Sequence, residues 1–374
     1  MRPSWIEIDL DAIEHNARVI AAHIAPAELC AVVKADAYGH GDIPVARAAL
    51  EGGAGLLAVA LVEEGVRLRE ADVDVPILVL SEPTPSEVAS IISYGLVPTA
   101  YTTTFVEQIA RAAEAASAVP YPVHLKLDSG MHRVGTPPVD AFEIARRIDA
   151  DERLTLQGVF THFAVADEDA DYTRRQNTAL VRFAEALHAE GIEPTLLHAA
   201  NTAAAFDYAE TRHDMCRVGL GIYGLRPTPE SGREIDLIPA MKVVSHVRYV
   251  RSLPRSARPS YGRIRILEGP HKVATIPIGY ADGVNRSLSR SGAVLINGKR
   301  YRFAGQITMD MVIVDLGDDD AQVDDEVVLI GTQGDDRITV EEWAGILGTI
   351  NYEVVCHFGS RLPRRYTRSR YEDG

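Results

Sequence analysis

Five lysines stand among the 38 basic residues of this 374-residue chain, so few amines are available for nucleophilic chemistry. Lys34 is the best placed. It lies in AVVKADAYGHG (Ala31–Gly41), directly after the apolar run Cys30–Val33. Burial disfavours the ammonium form, so this setting predicts an amine shifted toward a nucleophile or Schiff-base former. The alternative is a lysine that snorkels to the rim of its strand. A second candidate is RVGLGIYG (Arg217–Gly224), whose Gly219, Gly221 and Gly224 form a formal G-x-G-x-x-G. Two prolines follow at Pro227 and Pro229 and oppose the long helix that a dinucleotide site requires. A phosphate cradle of backbone N–H groups is the better reading, with glycine needed for tight packing as the alternative. A reactive lysine beside a phosphate cradle suggests pyridoxal phosphate (PLP), whose aldehyde condenses with lysine while its phosphate anchors the other end.

The elements that must hold these residues show in the texture of the sequence. Eight short apolar runs read as strands: Leu29–Ala35, Gly55–Ala60, Val75–Ser81, Gly95–Tyr101, Tyr121–Ser129, Leu156–Ala164, Thr195–Thr202 and Met215–Gly224. Amphipathic stretches such as Val62–Ala71, Thr104–Ala116 and Tyr172–Glu190 separate most of them. Near-continuous apolarity suits parallel strands covered on both faces. Eight such units predict an N-terminal (β/α)8 TIM barrel within an α/β class; a doubly wound open sheet is the alternative that periodicity leaves open. A barrel gathers its chemistry at the C-terminal strand ends. There the runs carry or precede Lys34, Arg133, His162, His198, Asn201-Thr202 and Arg217.

The texture changes at Arg226–Arg233 (RPTPESGR), which places a boundary there and predicts domains 1–230 and 231–374. Beyond it the runs Met241–Leu253, Lys272–Ile278, Ala293–Ile296, Arg300–Leu316 and Glu326–Ile330 predict a mostly-β domain, with Asn297-Gly298 as a hairpin turn. Trp5–Leu10 alternates like a strand, and residues 1–10 are expected to pair with the C-terminal sheet.

A net charge of −15 argues against nucleic-acid binding. Three separated cysteines without a C-x-x-C pair argue against a structural metal site and fit a reducing compartment. The N-terminus MRPSWIEIDL lacks the apolar core of a signal peptide, and no apolar run reaches the ~20 residues of a membrane span. A cytoplasmic protein with no membrane partner is expected.

VVKADAYGHG closely resembles the PLP-attachment motif of alanine racemases. LDSGMHRVG (Leu127–Gly135), HAANTAA (His198–Ala204), CRVGLGIYGL (Cys216–Leu225), SYG (Ser260–Gly262), GYADG (Gly279–Gly283), GQITMD (Gly305–Asp310) and TINYEV (Thr349–Val354) also resemble that family, in order along the whole chain. The resemblance implies interconversion of L- and D-alanine, D-alanine for peptidoglycan, and a homodimer with shared active sites, each completed by the C-terminal domain of the other copy. It implies that Lys34 carries the cofactor and acts as one base, with Tyr261 of the other copy as the second. Tyr38, Thr202, Gly219, Leu220 and Tyr352 would hold the phosphate, with His198 and Asn201 in the cofactor shell. Arg217 would face the pyridine nitrogen and His162 would link it toward Tyr261. Arg133 and the Met309 N–H would bind the substrate carboxylate, Lys126 matches a lysine carbamylated in many members, and Tyr280 would line the entrance. Arg217, and His162 in whatever fraction is protonated, would favour the tyrosinate. Related PLP barrels, namely broader racemases, decarboxylases and small PLP carriers, are the competing readings. Arg217 in place of a carboxylate counts against the decarboxylases, and the C-terminal domain counts against the carriers.

Overall fold

The computed structural model describes residues 3–368. They separate into two compact units, one of residues 12–37 and 42–239, the other of residues 3–11, 38–41 and 240–368.

The first unit is a closed parallel barrel. Its strands are β2 (Glu28–Val32), β3 (Leu56–Val59), β4 (Ile77–Val79), β5 (Val97–Ala100), β6 (Tyr121–Lys126), β7 (Leu154–Phe160), β8 (Leu196–His198) and β9 (Met215–Val218), and β9 returns to pair with β2. Four of these strands are buried along their whole length, which is why they read as continuous apolar runs rather than alternating ones. Helices such as Val62–Glu70, Thr103–Ala115, Pro138–Asp149 and Ala170–Ala189 separate them, each with one buried stripe. The barrel, not the open sheet, is the architecture of this unit.

The second unit carries two sheets. The larger has the order β14 (Lys299–Arg302), β13 (Ala293–Ile296), β16 (Glu326–Gln333), β10 (Met241–His246), β1 (Trp5–Asp9), β18 (Arg364–Thr367), with β17 (Asp336–Ile338) on β16. The smaller has the order β11 (Tyr249–Leu253), β12 (His271–Ile276), β15 (Val312–Gly317). β1 lies between β10 and β18, with Ile6 and Ile8 fully buried on its inner face. Asn297 and Gly298 both have positive φ, 51° and 74°, and join β13 to β14 as the hairpin turn their types require.

Two expected runs are corrected. Met241–Leu253 is two strands, β10 and β11, in different sheets, and Arg300–Leu316 is likewise split into β14 and β15. Apolar content persists through the first bend because Val247 is fully buried, its N–H donating to Asp325 O, and through the second because Phe303, Ala304 and Ile307 are buried while Met309 and Met311 stay exposed. Among the described residues no helix is long and apolar enough to cross a membrane.

Candidate active site

Lys34 follows β2 after Val33 and is half-buried. The expected strand Leu29–Ala35 ends early because Ala35, Asp36, Ala37 and Tyr38 have φ of 53, 53, 51 and 54°, a left-handed turn made without glycine. Each such residue costs ~1–2 kcal/mol, so its neighbours must hold the turn. Ala37 N–H donates to Val33 O at 2.9 Å. The buried Glu64 carboxylate, on the helix after β3, accepts from Ala35 N–H at 2.6 Å and from Ala60 and Leu61 N–H at 2.9 and 3.1 Å. The backbone from which the Lys34 amine projects is therefore clamped from a neighbouring loop.

Arg217 on β9 is buried in the barrel and meets no carboxylate among the described residues. Its Nη1 donates to His198 Nδ1 at 2.7 Å, and Nη2 donates to Thr161 O at 2.7 Å and Ala199 O at 2.9 Å, with His162 Nδ1 at 3.4 Å. Burial lowers its pKa to about 10, so it remains a cation at neutral pH. Phe160 forms an aromatic floor: His198 stacks on it at 4.6 Å, Arg217 lies 5.1 Å from its centroid and the Lys126 amine 5.2 Å. Lys126, at the end of β6, donates to Leu80 O at 3.2 Å. Burial, then the charges of Arg217, Arg133 and Lys34, bring its pKa down to about 7. Arg133 is exposed on the following loop and forms no ion pair among the described residues.

His162 lies beside Arg217. Burial first, then Arg217 and Lys126, hold its pKa well below the usual imidazole value. The neutral imidazole is thus favoured, and Arg217 is the cation of that pair.

The expected strands Thr195–Thr202 and Met215–Gly224 stop at His198 and Val218 because the chain turns there into two short helical segments, Thr202–Asp207 and Leu220–Tyr223. Asn201 caps the helix Thr202–Asp207 by accepting from Ala204 N–H at 3.0 Å. Gly219 N–H donates to Thr202 Oγ1 at 3.2 Å, which leaves the threonine's own proton to be donated elsewhere. The 3₁₀ turn Leu220–Tyr223 begins at Leu220 and closes on Gly224, whose φ of 78° favours glycine. This turn, not a long helix, accounts for the G-x-G-x-x-G spacing. The first N–H groups of both helical turns lack intrahelical acceptors and suit an anion. Together with the Lys34 amine and the Arg217 Nε–H, which has no hydrogen-bond partner among the described residues, this donor set fits PLP.

The second unit contributes its own cluster. Tyr38 is buried with its ring 6.2 Å from that of Tyr352, and burial followed by Tyr352 raises its pKa. Tyr261, 71% exposed, and Met309, 52% exposed, line with Tyr280 a cavity of about 910 Å³. The Met309 loop is fastened by Ala281 N–H to Met309 O at 3.1 Å and by Arg361, which binds Asp310 at 2.7 Å and the fully buried Asp282 at 3.4 Å.

Sequence reasoning passed over Glu64, His124, Gln157 and Phe160. The signals were faint: a glutamate three residues after the N-cap Leu61 and a histidine inside the apolar run YPVHLK.

The alanine racemase N-terminal domain profile matches residues 8–227 and the C-terminal domain profile residues 240–366. Alanine racemase 2 of Bacillus subtilis is 41% identical over 98% of this chain and 95% of its own. The alanine racemase of Halothermothrix orenii is 38% identical over 98% and 97%. Among solved structures, the alanine racemase of D-cycloserine-producing Streptomyces lavendulae superposes with a TM-score of 0.93 at 36% identity, covering 99% of this chain and 98% of that one. A histidine racemase from Leuconostoc mesenteroides has a TM-score of 0.90 at 27% identity over 98% of both chains. The described barrel and strand-rich unit, with matches to both domain profiles, show that this chain is a racemase enzyme belonging to the alanine racemase family.

Proposed function

We propose that this protein is a PLP-dependent alanine racemase that works as a homodimer and supplies D-alanine for peptidoglycan. The observation that carries this reading is the donor set in the barrel: a lysine on a clamped turn after β2, an anion cradle after β8 and β9, and a buried arginine on β9, the strand that pairs with β2. Pyridoxal phosphate, when bound, holds an amino acid by its nitrogen and acidifies the Cα–H.

The chain's own groups supply the rest. Lys34 holds the cofactor and moves a proton on one face of Cα. The Tyr261 phenol of a second copy does the same on the other face; its exposure in the single chain supports a role completed by another subunit. Inversion needs a base on each face, and one base alone returns the same enantiomer. Thr202 Oγ–H and the Leu220 N–H bind phosphate, joined by the Gly219 N–H when it turns from Thr202 Oγ1, with Asn201 fixing the helix start and Tyr38 and Tyr352 adding phenols. Arg217, steered by His198 and His162, donates to the pyridine nitrogen and cannot protonate it fully. Arg133 and Met309 N–H bind the substrate carboxylate, and Tyr280 narrows the entrance. Lys126, with its pKa near 7, offers a neutral amine that can take up CO2 as a carbamate and turn a repelling cation into an anion that orients Arg133.

The test is to add PLP, trap it with borohydride and map the label, together with chiral analysis of L-alanine turnover. Label on Lys34 and D-alanine formation are expected; label elsewhere, or no racemisation, overturns the reading. The likeness to a histidine racemase favours a second substrate reading. D-histidine formed faster than D-alanine would select it.

A further inference from the structure

Behind Arg217 the hydrogen bonds continue into the barrel. His198 Nε2 lies 2.9 Å from His124 Nδ1, and His124 Nε2 lies 3.3 Å from Gln157 Oε1. His124 is 1% exposed, and two backbone features make room for it. The β6–β7 register shifts between Val123 and His124, and opposite the ring sits Gly158, where a Cβ would fall 2.6 Å from the imidazole. A leucine would fill a barrel core with less accommodation, so the imidazole has a task that packing does not explain.

The direction of the chain follows from donor chemistry alone. Guanidinium only donates, so His198 Nδ1 accepts and its proton sits on Nε2. That Nε2–H donates to His124 Nδ1, which places the His124 proton on its own Nε2, facing Gln157 Oε1. Both rings are then neutral Nε2–H tautomers. Adding a proton to either ring would set two N–H groups against each other or against Arg217. Burial and the Arg217 charge also lower both pKa values, that of His124 to about 4.

We propose that His124 is a positioning residue for Arg217: with Gln157 it locks His198 in the Nε2–H tautomer and thereby fixes the guanidinium at the barrel mouth. Its consequence for the reaction rests on the reading that Arg217 meets the pyridine nitrogen. The lock itself is a property of the protein alone.

Two measurements test it. The first is ¹⁵N-histidine NMR of the full chain without cofactor. His124 and His198 should both appear as neutral Nε2–H tautomers; an Nδ1–H or imidazolium form of either overturns the lock in the wild-type protein. In His124→Leu, His198 loses its acceptor and should become a tautomer mixture, whereas His124→Asn places an oxygen near the old Nδ1 and should keep the single form. Unchanged His198 in His124→Leu overturns the proposal. The second is the ratio of transamination to racemisation with PLP and alanine. Loss of one hydrogen bond in a chain ending on a charged group is expected to raise it roughly five- to tenfold in His124→Leu and not in His124→Asn. If Arg217→Glu raises the ratio and His124→Leu does not, the role of His124 is overturned. If Arg217→Glu also leaves it unchanged, the reading of Arg217 at the cofactor has failed instead.

Discussion

The site cations of the barrel and the lysines of the strand-rich unit are held in opposite ways, although arginines elsewhere on the barrel, such as Arg153 with Asp151, are paired too. In the strand-rich unit each lysine has a carboxylate: Lys242 with Glu326, Lys272 with Asp320, and Lys299 with Asp319. Arg300 bridges Asp336 and Glu342. In the barrel, Lys126, Arg133 and Arg217 form no ion pair among the described residues, and Lys126 and Arg217 are buried. Paired surface charges contribute little to stability and have no chemistry to offer. Buried cations held only by carbonyls, imidazoles and an aromatic face are costly, and that cost is what tunes their pKa values and leaves donors for a ligand. The difference separates Lys126 from the three paired lysines more sharply than their sequence neighbours do.

The largest effect should come from Lys34→Ala, which on the proposed reading removes both anchor and base. Racemisation is expected to fall by at least ~10²–10⁴-fold, the usual worth of one acid–base group, with loss of borohydride-trapped cofactor. Racemisation persisting near the wild-type rate would remove Lys34 from the chemistry.

Arg217→Glu would impose the paired pattern on the barrel. Transamination per turnover is expected to rise about tenfold, read as pyruvate formed per D-alanine, because the carboxylate keeps the ring nitrogen protonated. An unchanged ratio would show that Arg217 does not govern the cofactor.

Lys126 offers a pH-dependent comparison. Its folded pKa of about 7 lies below the ordinary 10.5, so between those values the unfolded chain binds more protons and stability rises with pH. Lys126→Met should therefore be more stable than wild type by about 2 kcal/mol or more below pH 7, an advantage that fades toward pH 10.5, measured by urea denaturation in CO2-free buffer. A pH-independent difference would rule out the depressed amine. The same amine should give a ¹³C carbamate resonance on addition of labelled bicarbonate at neutral pH.

Lys299→Met is the smallest expected effect. Its partner Asp319 is exposed, so the change should stay within about 0.5 kcal/mol in thermal denaturation and leave turnover untouched. A larger loss would mean that the surface pair is structural after all.

Much of this was legible in the sequence. Eight apolar runs, broken by amphipathic stretches, announced a parallel barrel because doubly covered strands must be apolar throughout. Lys34 and the glycines after Arg217 were visible because an amine after an apolar run and a glycine-rich turn are chemically unusual. The strand ends were not legible: a left-handed turn at Ala35–Tyr38 has no glycine until Gly39, so its residue types give no warning. Glu64 and His124 were invisible for a related reason, since each looks like an ordinary helix cap or core residue until its partner, distant in sequence, is known.

The sequence by itself thus determined the layout, the candidate amine and the candidate cradle, because periodicity and residue type act locally. Only the tertiary structure decided which cations go without carboxylates, that the neutral form of His162 is favoured and which way the histidine chain points. Those properties depend on burial and on groups brought together from different strands, and neither is written at any single position.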